Sequence, residues 1–396
     1  MENLFIKSRQ KVKSINTDFV RYLMKEINWS DRLIGIKGGR GIGKTTLLLQ
    51  HIEMHLQNEL ILYVSLDDFY FTSHTLYDLA EDFIVNGGQT LLIDEVHRYK
   101  NWAQEIKLIY DDFPNLKIIF TGSSILEISK GRADLSRRAI IYSMTGLSFR
   151  EYLVFTEKLE IASVKISDII GHHVELADDI NRSTQIIPAF CKYLTTGYYP
   201  FFIESPDTYL MRLTEVLNQV IFSDIQTLKG IPMESLSKLR KLLYVVSNSV
   251  PFKPNVAKLS EIIQITRNTL VTYLNYLEEA QIINLLHTES VGIGYLRKPE
   301  KIYMENSNLI YALNEKEPEV GNIRETFFFN QLRKENRVVF DGIADFLIND
   351  ELRFEIGGKN KTTKQIKGLE NAFIAADNIS TGYGKKIPLW LFGFLY

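Results

Sequence analysis

The first part of the chain alternates between short apolar runs and longer stretches of helical length. The apolar runs lie at residues 33–37, 60–66, 90–94, 116–121 and 139–143. Because this alternation is typical of buried parallel strands connected by helices, it predicts an α/β domain with a parallel sheet. We assign this predicted domain to residues 1–146.

Behind this domain the pattern of apolar positions becomes mainly helical. Residues 147–231 form a predicted helical lid, in which Gly197 and Pro200 mark a turn. The pattern predicts helices followed by a hairpin for residues 232–313. For residues 314–396 it predicts a small α+β domain that begins with a helix. The sequence thus predicts four domains.

Residues 232–313 carry the pattern of a winged helix-turn-helix. A helix at 256–263 is followed by a brief turn and by Thr266, a good N-cap for a second helix that continues to Ala280. Apolar runs at 282–286 and 301–304 predict the strands of a hairpin. In such a module the early, exposed part of the second helix contacts DNA. The basic patch is modest here, so DNA contact and protein docking both stay open.

Composition agrees with an ordinary folded protein: 45% of the 396 residues are hydrophobic and 24% are charged. The net charge is −2, so any contact with DNA has to come from a local patch. The single cysteine, Cys191, excludes an intramolecular disulfide and a zinc cluster with cysteine ligands. No uninterrupted apolar run approaches the roughly 18 residues of a membrane span, and we expect a cytoplasmic protein without membrane contact.

The strongest motif is a glycine-rich loop that follows the first predicted strand. It fits G-x-x-x-x-G-K-[ST] at every position, with Gly38, Gly39, Arg40, Gly41, Ile42, Gly43, Lys44 and Thr45. Its glycines let the backbone curl around phosphate oxygens, and the helix that starts at Thr46 adds positive potential. Lys44 is expected to reach the β- and γ-phosphates of ATP, and the Thr45 hydroxyl to ligate Mg²⁺.

A second motif, LLIDE at residues 91–95, is an apolar strand that ends in two carboxylates. Asp94 is expected to hold Mg²⁺, directly or through water. Glu95 is then placed to polarise the attacking water, which predicts hydrolysis and not binding alone. A third strand leads to Ser123 and Ser124, where a hydroxyl either senses the γ-phosphate or caps a helix.

Together these motifs resemble those of bacterial and archaeal AAA+ ATPases. More narrowly, they resemble the group whose ATPase domain is followed by a characteristic C-terminal domain of unknown function. Besides the loop and LLIDE, the resemblance rests on FTGSS at 120–124, LSFREY at 147–152, and YL and GYYP within 193–200. It implies an ASCE-type sheet in which Asp94 and Glu95 have the roles given above. His97, Arg98 and Trp102 also match the pattern of the group.

The same resemblance implies an arginine finger just before the fifth strand. Arg138 is the candidate there, and its neighbour Arg137 competes with it because the segment departs slightly from the pattern of the group. A delocalised guanidinium charge stabilises phosphoryl transfer, either in its own subunit or from a neighbouring one. The alternative for Arg138 is a surface salt bridge.

The tail resembles the PD-(D/E)XK nuclease core, in which an Asp and a Glu bind Mg²⁺ and a Lys two residues after the Glu assists the attack. The matching residues are Glu325, Asp345, Glu355 and Lys359, with Gln365 on a predicted following helix. Gly357, however, stands where the lysine is expected. Lys359 lies about 6–7 Å beyond that place along a strand. An inactive or repurposed nuclease fold is therefore favoured over an active one.

From the sequence we expect a protein that binds and hydrolyses ATP and couples its nucleotide state to C-terminal DNA- or protein-binding modules. Two alternatives stay open: a nucleotide switch or scaffold with slow hydrolysis, and an ATP-regulated, Mg²⁺-dependent nuclease. The expected ligands are ATP and Mg²⁺. The expected partners are DNA through the winged helix, a protein, or further copies of the chain.

Overall fold

The computed structural model describes residues 1–57, 59–122, 135–248, 255–288, 298–314 and 316–396. The chain divides into two units, Met1–Gly146 and Leu147–Tyr396, and each contains a five-stranded sheet. Within the described ranges, no helix combines the length and the apolar character that crossing a bilayer requires.

A parallel sheet forms the centre of the first unit. Its strands are β1 (Leu33–Gly38), β2 (Ile61–Ser65), β3 (Thr90–Asp94), β4 (Lys117–Gly122) and β5 (Ile140–Met144), in the order β2-β3-β4-β1-β5. All four pairings are parallel, so the predicted strands and the predicted parallel sheet are confirmed. The central strands are near-continuous apolar runs because both of their faces are buried.

The helices of the first unit are α1 (Glu2–Lys13), α2 (Leu23–Glu26), α3 (Lys44–His55), α4 (Leu76–Val85) and α5 (Trp102–Asp112). Apolar residues of α4 and α5, among them Phe83 and Ile106, are fully buried in one core with Leu62, Ile93 and Phe120 of the sheet. Helix α3 begins at Lys44, two residues earlier than predicted, so its first backbone amides belong to the glycine-rich loop.

The strand order fixes where a ligand can bind. Strand β1 lies between β4 and β5, and β4 lies between β3 and β1. The carboxyl ends of these parallel strands therefore meet at one edge of the sheet, where the glycine-rich loop leaves β1 and where Asp94 ends β3. Open parallel sheets bind ligands at such an edge, next to the point where the strand order reverses.

The second unit is mainly helical up to its sheet, which confirms the helical pattern predicted for residues 147–231. Its helices are α6 (Phe149–Glu157), α7 (Ile166–Asn181), α8 (Ile186–Thr196), α9 (Tyr209–Gln219), α10 (Gln226–Lys229), α11 (Met233–Ser247), α12 (Val256–Ile263), α13 (Arg267–Glu279), α14 (Ser307–Leu313) and α15 (Val320–Leu332). A π-helical segment, Val220–Ile225, joins α9 to α10. The role of residues 147–231 as a lid stays a prediction.

The segment predicted to be a winged helix has the expected local elements. The Thr266 hydroxyl accepts a hydrogen bond from the Thr269 amide and caps α13. Strands β6 (Ile283–Leu286) and β7 (Lys301–Met304) pair in antiparallel register. The predicted hairpin tip, Gly292–Gly294, lies outside the described residues, and both the winged-helix fold and its function stay predictions.

The tail builds a mixed sheet from β8 (Val338–Val339), β9 (Phe346–Ile348), β10 (Leu352–Gly357), β11 (Ala372–Ala376) and β12 (Lys386–Pro388), in the order β12-β11-β10-β9-β8. The helix predicted around Gln365 was wrong, because residues 363–368 form turns. In that segment only Ile366 is buried, which is too little for an apolar stripe, and Gly368 ends it with a φ of 81°.

A buried glutamate follows β7 in the second unit. The Glu305 carboxylate accepts a hydrogen bond from the Asn330 amide at 3.3 Å and pairs with Arg333 at 3.5 Å. Its side chain is only 8% exposed. Burial disfavours the charged form and, against the opposing effect of Arg333, raises the pKa of Glu305 to about 7.

We predict that Glu305→Gln stabilises the second unit near pH 8 but not near pH 5. The folded-state pKa of Glu305 lies above its unfolded value. The protonated carboxyl therefore makes its full contribution to the free energy of unfolding below about pH 4.5, and this contribution is lost as the pH rises through 7. The ionised group then lowers the free energy of unfolding by up to about 3 kcal/mol. Denaturant titrations at both pH values measure the difference. The exposed Glu175→Gln is the control, and an equal effect of Glu305→Gln at both pH values contradicts the prediction.

Candidate functional site

The loop between β1 and α3 has a backbone that only glycine adopts without strain. Gly41 and Gly43 have φ angles of 80° and 97°, in the region that L side chains rarely occupy. A Cβ at Gly38 would lie 2.3 Å from the carbonyl oxygen of Met144. Gly38, Gly41 and Gly43 are therefore required by the shape of the loop.

Lys44 lies inside this loop, with 5% of its surface exposed. Its ammonium donates hydrogen bonds to the carbonyl oxygens of Gly38 at 2.9 Å and of Gly39 at 2.6 Å. The buried charge thus lies among the backbone groups of the loop and beside the N-terminus of α3. An anion at this place would meet both the ammonium and the helix amides.

Arg21 ties the loop to the end of the sheet, a role that the sequence did not reveal. It is 4% exposed, and its guanidinium donates to the carbonyl oxygens of Ile42 at 2.7 Å and of Thr145 and Gly146 at 2.9 Å each. Arg21 belongs to no motif, and its partners are up to 125 positions away, so the local pattern carries no signal of this contact.

The Asp94 carboxylate at the end of β3 accepts hydrogen bonds from three hydroxyl groups. It is 2% exposed and accepts hydrogen bonds from Thr45 at 2.7 Å, from Tyr63 at 2.8 Å and from Thr121. Burial and the Asp94 charge both raise the pKa of Tyr63, which therefore stays protonated and donates. Thr45 and Asp94, predicted from separate motifs, are thus in direct contact, and their oxygens suit a hard cation such as Mg²⁺.

Glu95 and His97 form a second contact at the same strand end. Glu95 has a left-handed backbone (φ 55°, ψ 41°), which is uncommon for a residue with a Cβ and is often found at functional sites. Its carboxylate lies 3.3 Å from Nε2 of His97, whose side chain is 4% exposed. Burial, with the positive charges of Arg98, Lys44 and Arg40, lowers the pKa of His97 to about 3. His97 is thus a neutral imidazole whose Nε2 faces the Glu95 carboxylate.

Arg138 is not brought to this cluster. Its Nε and Nη2 atoms each bond the Asp111 carboxylate at 2.8 Å, and this contact lowers the pKa of Asp111. Arg138 precedes β5, so it lies at the amino-terminal edge of the parallel sheet, about 16 Å from the carboxyl edge for a five-residue strand. The role of Arg138 or Arg137 as a finger stays a prediction, and Ser123 lies outside the described residues.

The acidic residues of the tail are paired with lysines that the sequence did not indicate. The Lys301 ammonium lies 3.0 Å from Glu325 and 3.0 Å from Asp345. Glu355 pairs with Lys361 at 2.5 Å and, among the described residues, not with the predicted Lys359. Burial lowers the pKa of Lys301, but the two carboxylates more than offset this effect and raise it. Within the described part of the chain, no three histidine, cysteine or acidic side chains are grouped to hold a metal ion.

Two parts of the chain match known protein families. Residues 30–153 match the family described as an AAA domain, and residues 187–320 match a domain of unknown function (DUF8612). The AAA match covers the sheet, the glycine-rich loop and the Asp94 cluster. Together these observations support a nucleotide-binding ATPase of the AAA type.

The chain is also similar to individual proteins. "Uncharacterized protein MJ1637" of Methanocaldococcus jannaschii is 29% identical over 289 residues, which are 69% of this chain and 61% of that protein. The Walker-type ATPase paby2304 of Pyrococcus abyssi is 14% identical and covers 74% of this chain and 95% of its own, with a TM-score of 0.39. AMPPCP-bound DnaA from Aquifex aeolicus is 15% identical and covers 65% and 84%, with a TM-score of 0.25. The two structural similarities are too low to carry a functional argument.

We predict that His97 stays neutral, with its proton on Nε2, from about pH 8 down to about pH 5. The reason is its burial beside three cationic side chains, which holds the pKa of His97 near 3. Histidine-selective nitrogen NMR measures both the charge and the tautomer, and His97→Gln assigns the signal. In Glu95→Ala the His97 ring is expected to remain neutral as well. A His97 signal that titrates near pH 6.5 contradicts this prediction.

Proposed function

We propose that the first unit binds ATP with Mg²⁺ and hydrolyses it, and that its nucleotide state controls the second unit. The observation that carries the proposal is the hydrogen bond of 2.7 Å between Thr45 and Asp94, beside the buried ammonium of Lys44. This hydrogen bond brings together two motifs that lie 49 positions apart. The resulting cluster contains the groups that a nucleoside triphosphate and its metal require.

The residues present fit a triphosphate. The positive-φ glycines turn the loop backbone, and the ammonium of Lys44 lies against the loop carbonyl oxygens. Amide groups at the start of α3 add a positive potential that attracts phosphate. Backbone amides, a helix terminus and one fixed cation are the recurrent means of binding phosphate without a specific base contact.

The same cluster fits a magnesium ion. The Thr45 hydroxyl and the Asp94 carboxylate offer two hard oxygen ligands, and Mg²⁺ typically keeps several waters and phosphate oxygens as its other ligands. When bound, the ion polarises the phosphoryl group and neutralises charge that develops on its oxygens. Tyr63 and Thr121 orient the Asp94 carboxylate by their hydrogen bonds, so they are positioning residues.

Glu95 is the proposed general base. It follows Asp94 directly, so its carboxylate lies at the same edge of the sheet as the loop. A carboxylate there orients a water molecule and accepts its proton during attack on the terminal phosphate. His97 limits the orientations of this carboxylate through the contact of 3.3 Å between its Nε2 and the carboxylate oxygen.

Arg138 supports a homo-oligomer in this proposal. Because it precedes β5, it is remote from the loop of its own subunit, and a finger role would require the nucleotide of a neighbouring copy. The bidentate bond to Asp111 is exposed and therefore contributes little to stability. In an assembly, Arg138 could therefore exchange its bond to Asp111 for a phosphate contact at a small free-energy cost. Binding of DNA or of another protein by the second unit belongs to the same proposal.

We predict that Lys44→Ala weakens ATP binding at least about tenfold, because it removes a charge-assisted contact to the phosphates. Titration with a fluorescent ATP analogue in the presence of Mg²⁺ measures the dissociation constant. Lys13→Ala, which removes an exposed lysine of α1, is the matched control and should bind as wild type does. Unchanged affinity in Lys44→Ala refutes the proposed site.

We predict that Glu95→Gln slows phosphate release from ATP by about 100-fold or more, since an amide cannot accept the proton of the attacking water. The ATP dissociation constant should change little, because Gln retains the size and polarity of Glu. Single-turnover phosphate release measures the rate, and Glu81→Gln on the exposed side of α4 is the control. Equal rates in wild type and Glu95→Gln exclude Glu95 as the base and favour a slow nucleotide switch.

A further inference from the structure

A basic pocket lies beside β10 in the second unit. Its volume is about 510 Å³ and it is lined by Arg324, Gly358, Lys359, Asn360, Lys361 and Asn378. The lining contains three cationic side chains and two amides but no carboxylate. Such a set of donors is suited to an anion with several oxygen atoms.

Two adjacent glycines make room for the cationic side chains. A Cβ at Gly357 would lie 2.7 Å from Cβ and Cγ of Lys361, and a Cβ at Gly358 would lie 3.3 Å from both terminal nitrogens of Arg324. Any larger residue at Gly357 would displace Lys361, and one at Gly358 would press on the guanidinium. Gly357 stands where a nuclease-like site would have its lysine, so this departure from the pattern is what admits the basic pocket.

Arg324 is held in place but retains free donors. Its Nε donates to Asp377 at 2.8 Å, and among the described residues this is the only hydrogen bond recorded for its side chain. Asp377 is fixed in turn, since its amide donates to the Gly357 carbonyl oxygen at 2.8 Å. The two terminal nitrogens of Arg324 thus form a pre-oriented fork over Gly358, and such a fork matches two phosphate oxygens.

The charge balance of the pocket is positive. Asp377 pairs with Arg324, and Glu355 pairs with Lys361 at 2.5 Å. Lys359 is exposed, and in the described part of the chain no carboxylate is recorded as its partner. Its backbone is nevertheless fixed, because its carbonyl oxygen accepts a hydrogen bond from Lys386 at 2.9 Å. After the two ion pairs, the charge of Lys359 remains unbalanced.

We propose that this pocket binds a phosphate group through the Arg324 fork and Lys359, with Asn360 and Asn378 as additional donors. The group is either a free phosphate compound or a phosphate of a nucleic-acid strand, since both present the same oxygens. The pocket is a recognition site and not a hydrolytic one, because each carboxylate next to it is engaged by a cationic side chain.

The test uses the full chain in a Lys44→Ala background, so that phosphate bound at the glycine-rich loop does not obscure the result. The probes are inorganic phosphate, followed by calorimetry, and a fluorescent single-stranded oligonucleotide with or without a 5′-phosphate, followed by anisotropy. Arg324→Gln is expected to weaken binding of the recognised probe about tenfold or more, through the loss of a bidentate contact. Lys359→Ala is expected to weaken it about threefold to tenfold.

The pattern across the probes distinguishes the two sources. Binding of inorganic phosphate alone assigns a free phosphate compound, whereas binding of the oligonucleotide that Arg324→Gln weakens assigns a strand phosphate. The matched control is Lys364→Ala, an exposed lysine outside the pocket. Because Lys359 is exposed, its replacement leaves the fold intact even if Arg324→Gln does not. The proposal is overturned if no probe binds, or if Lys359→Ala and Arg324→Gln, folded by circular dichroism, bind every probe as their parent does.

Discussion

The first unit depends on one buried carboxylate, that of Asp94. A charge removed from water is tolerated only where hydrogen bonds replace its hydration, and Asp94 obtains them from hydroxyl groups on α3, β2 and β4. A displacement of any of these elements leaves the charge partly unsatisfied, which costs several times the worth of an ordinary hydrogen bond. The carboxylate therefore ties the helix behind the glycine-rich loop to the centre of the sheet.

The parallel sheet sets the second constraint, which is the edge at which each group acts. Residues that follow a strand share one edge, and this edge holds Lys44, Asp94 and Glu95. Arg138 precedes β5 and therefore lies at the other edge, whatever side-chain conformation it adopts. In the proposed function, one copy of the chain then has a nucleotide site but lacks its finger. The proposed function therefore includes an oligomer, in which a neighbouring copy would supply the finger.

Local sequence predicted the elements and the motif residues because strand periodicity, glycine spacing and N-caps are properties of neighbouring residues. It did not predict the contacts that residues outside the motifs make with distant segments. Tyr63 has the pattern of a core residue of β2, and only the fold brings its hydroxyl to Asp94. The pairing of Glu355 with Lys361 depends on the turn after Gly357, for which a strand-based spacing argument selected Lys359. The prediction of a helix around Gln365 was wrong because a single buried isoleucine does not give a helix an apolar face to pack.

The two units satisfy buried carboxylates in opposite ways, and the difference bears on metal binding. Neutral hydroxyls surround Asp94, so its negative charge remains available to a cation. Glu325 and Asp345 instead share the ammonium of Lys301. A divalent ion approaching them would have to displace that ammonium and overcome its repulsion, which is large where water is excluded. Similar residue types thus leave a carboxylate open to a cation in the first unit and form a closed ion-pair network in the second, because one carboxylate is balanced by dipoles and the others by a charge.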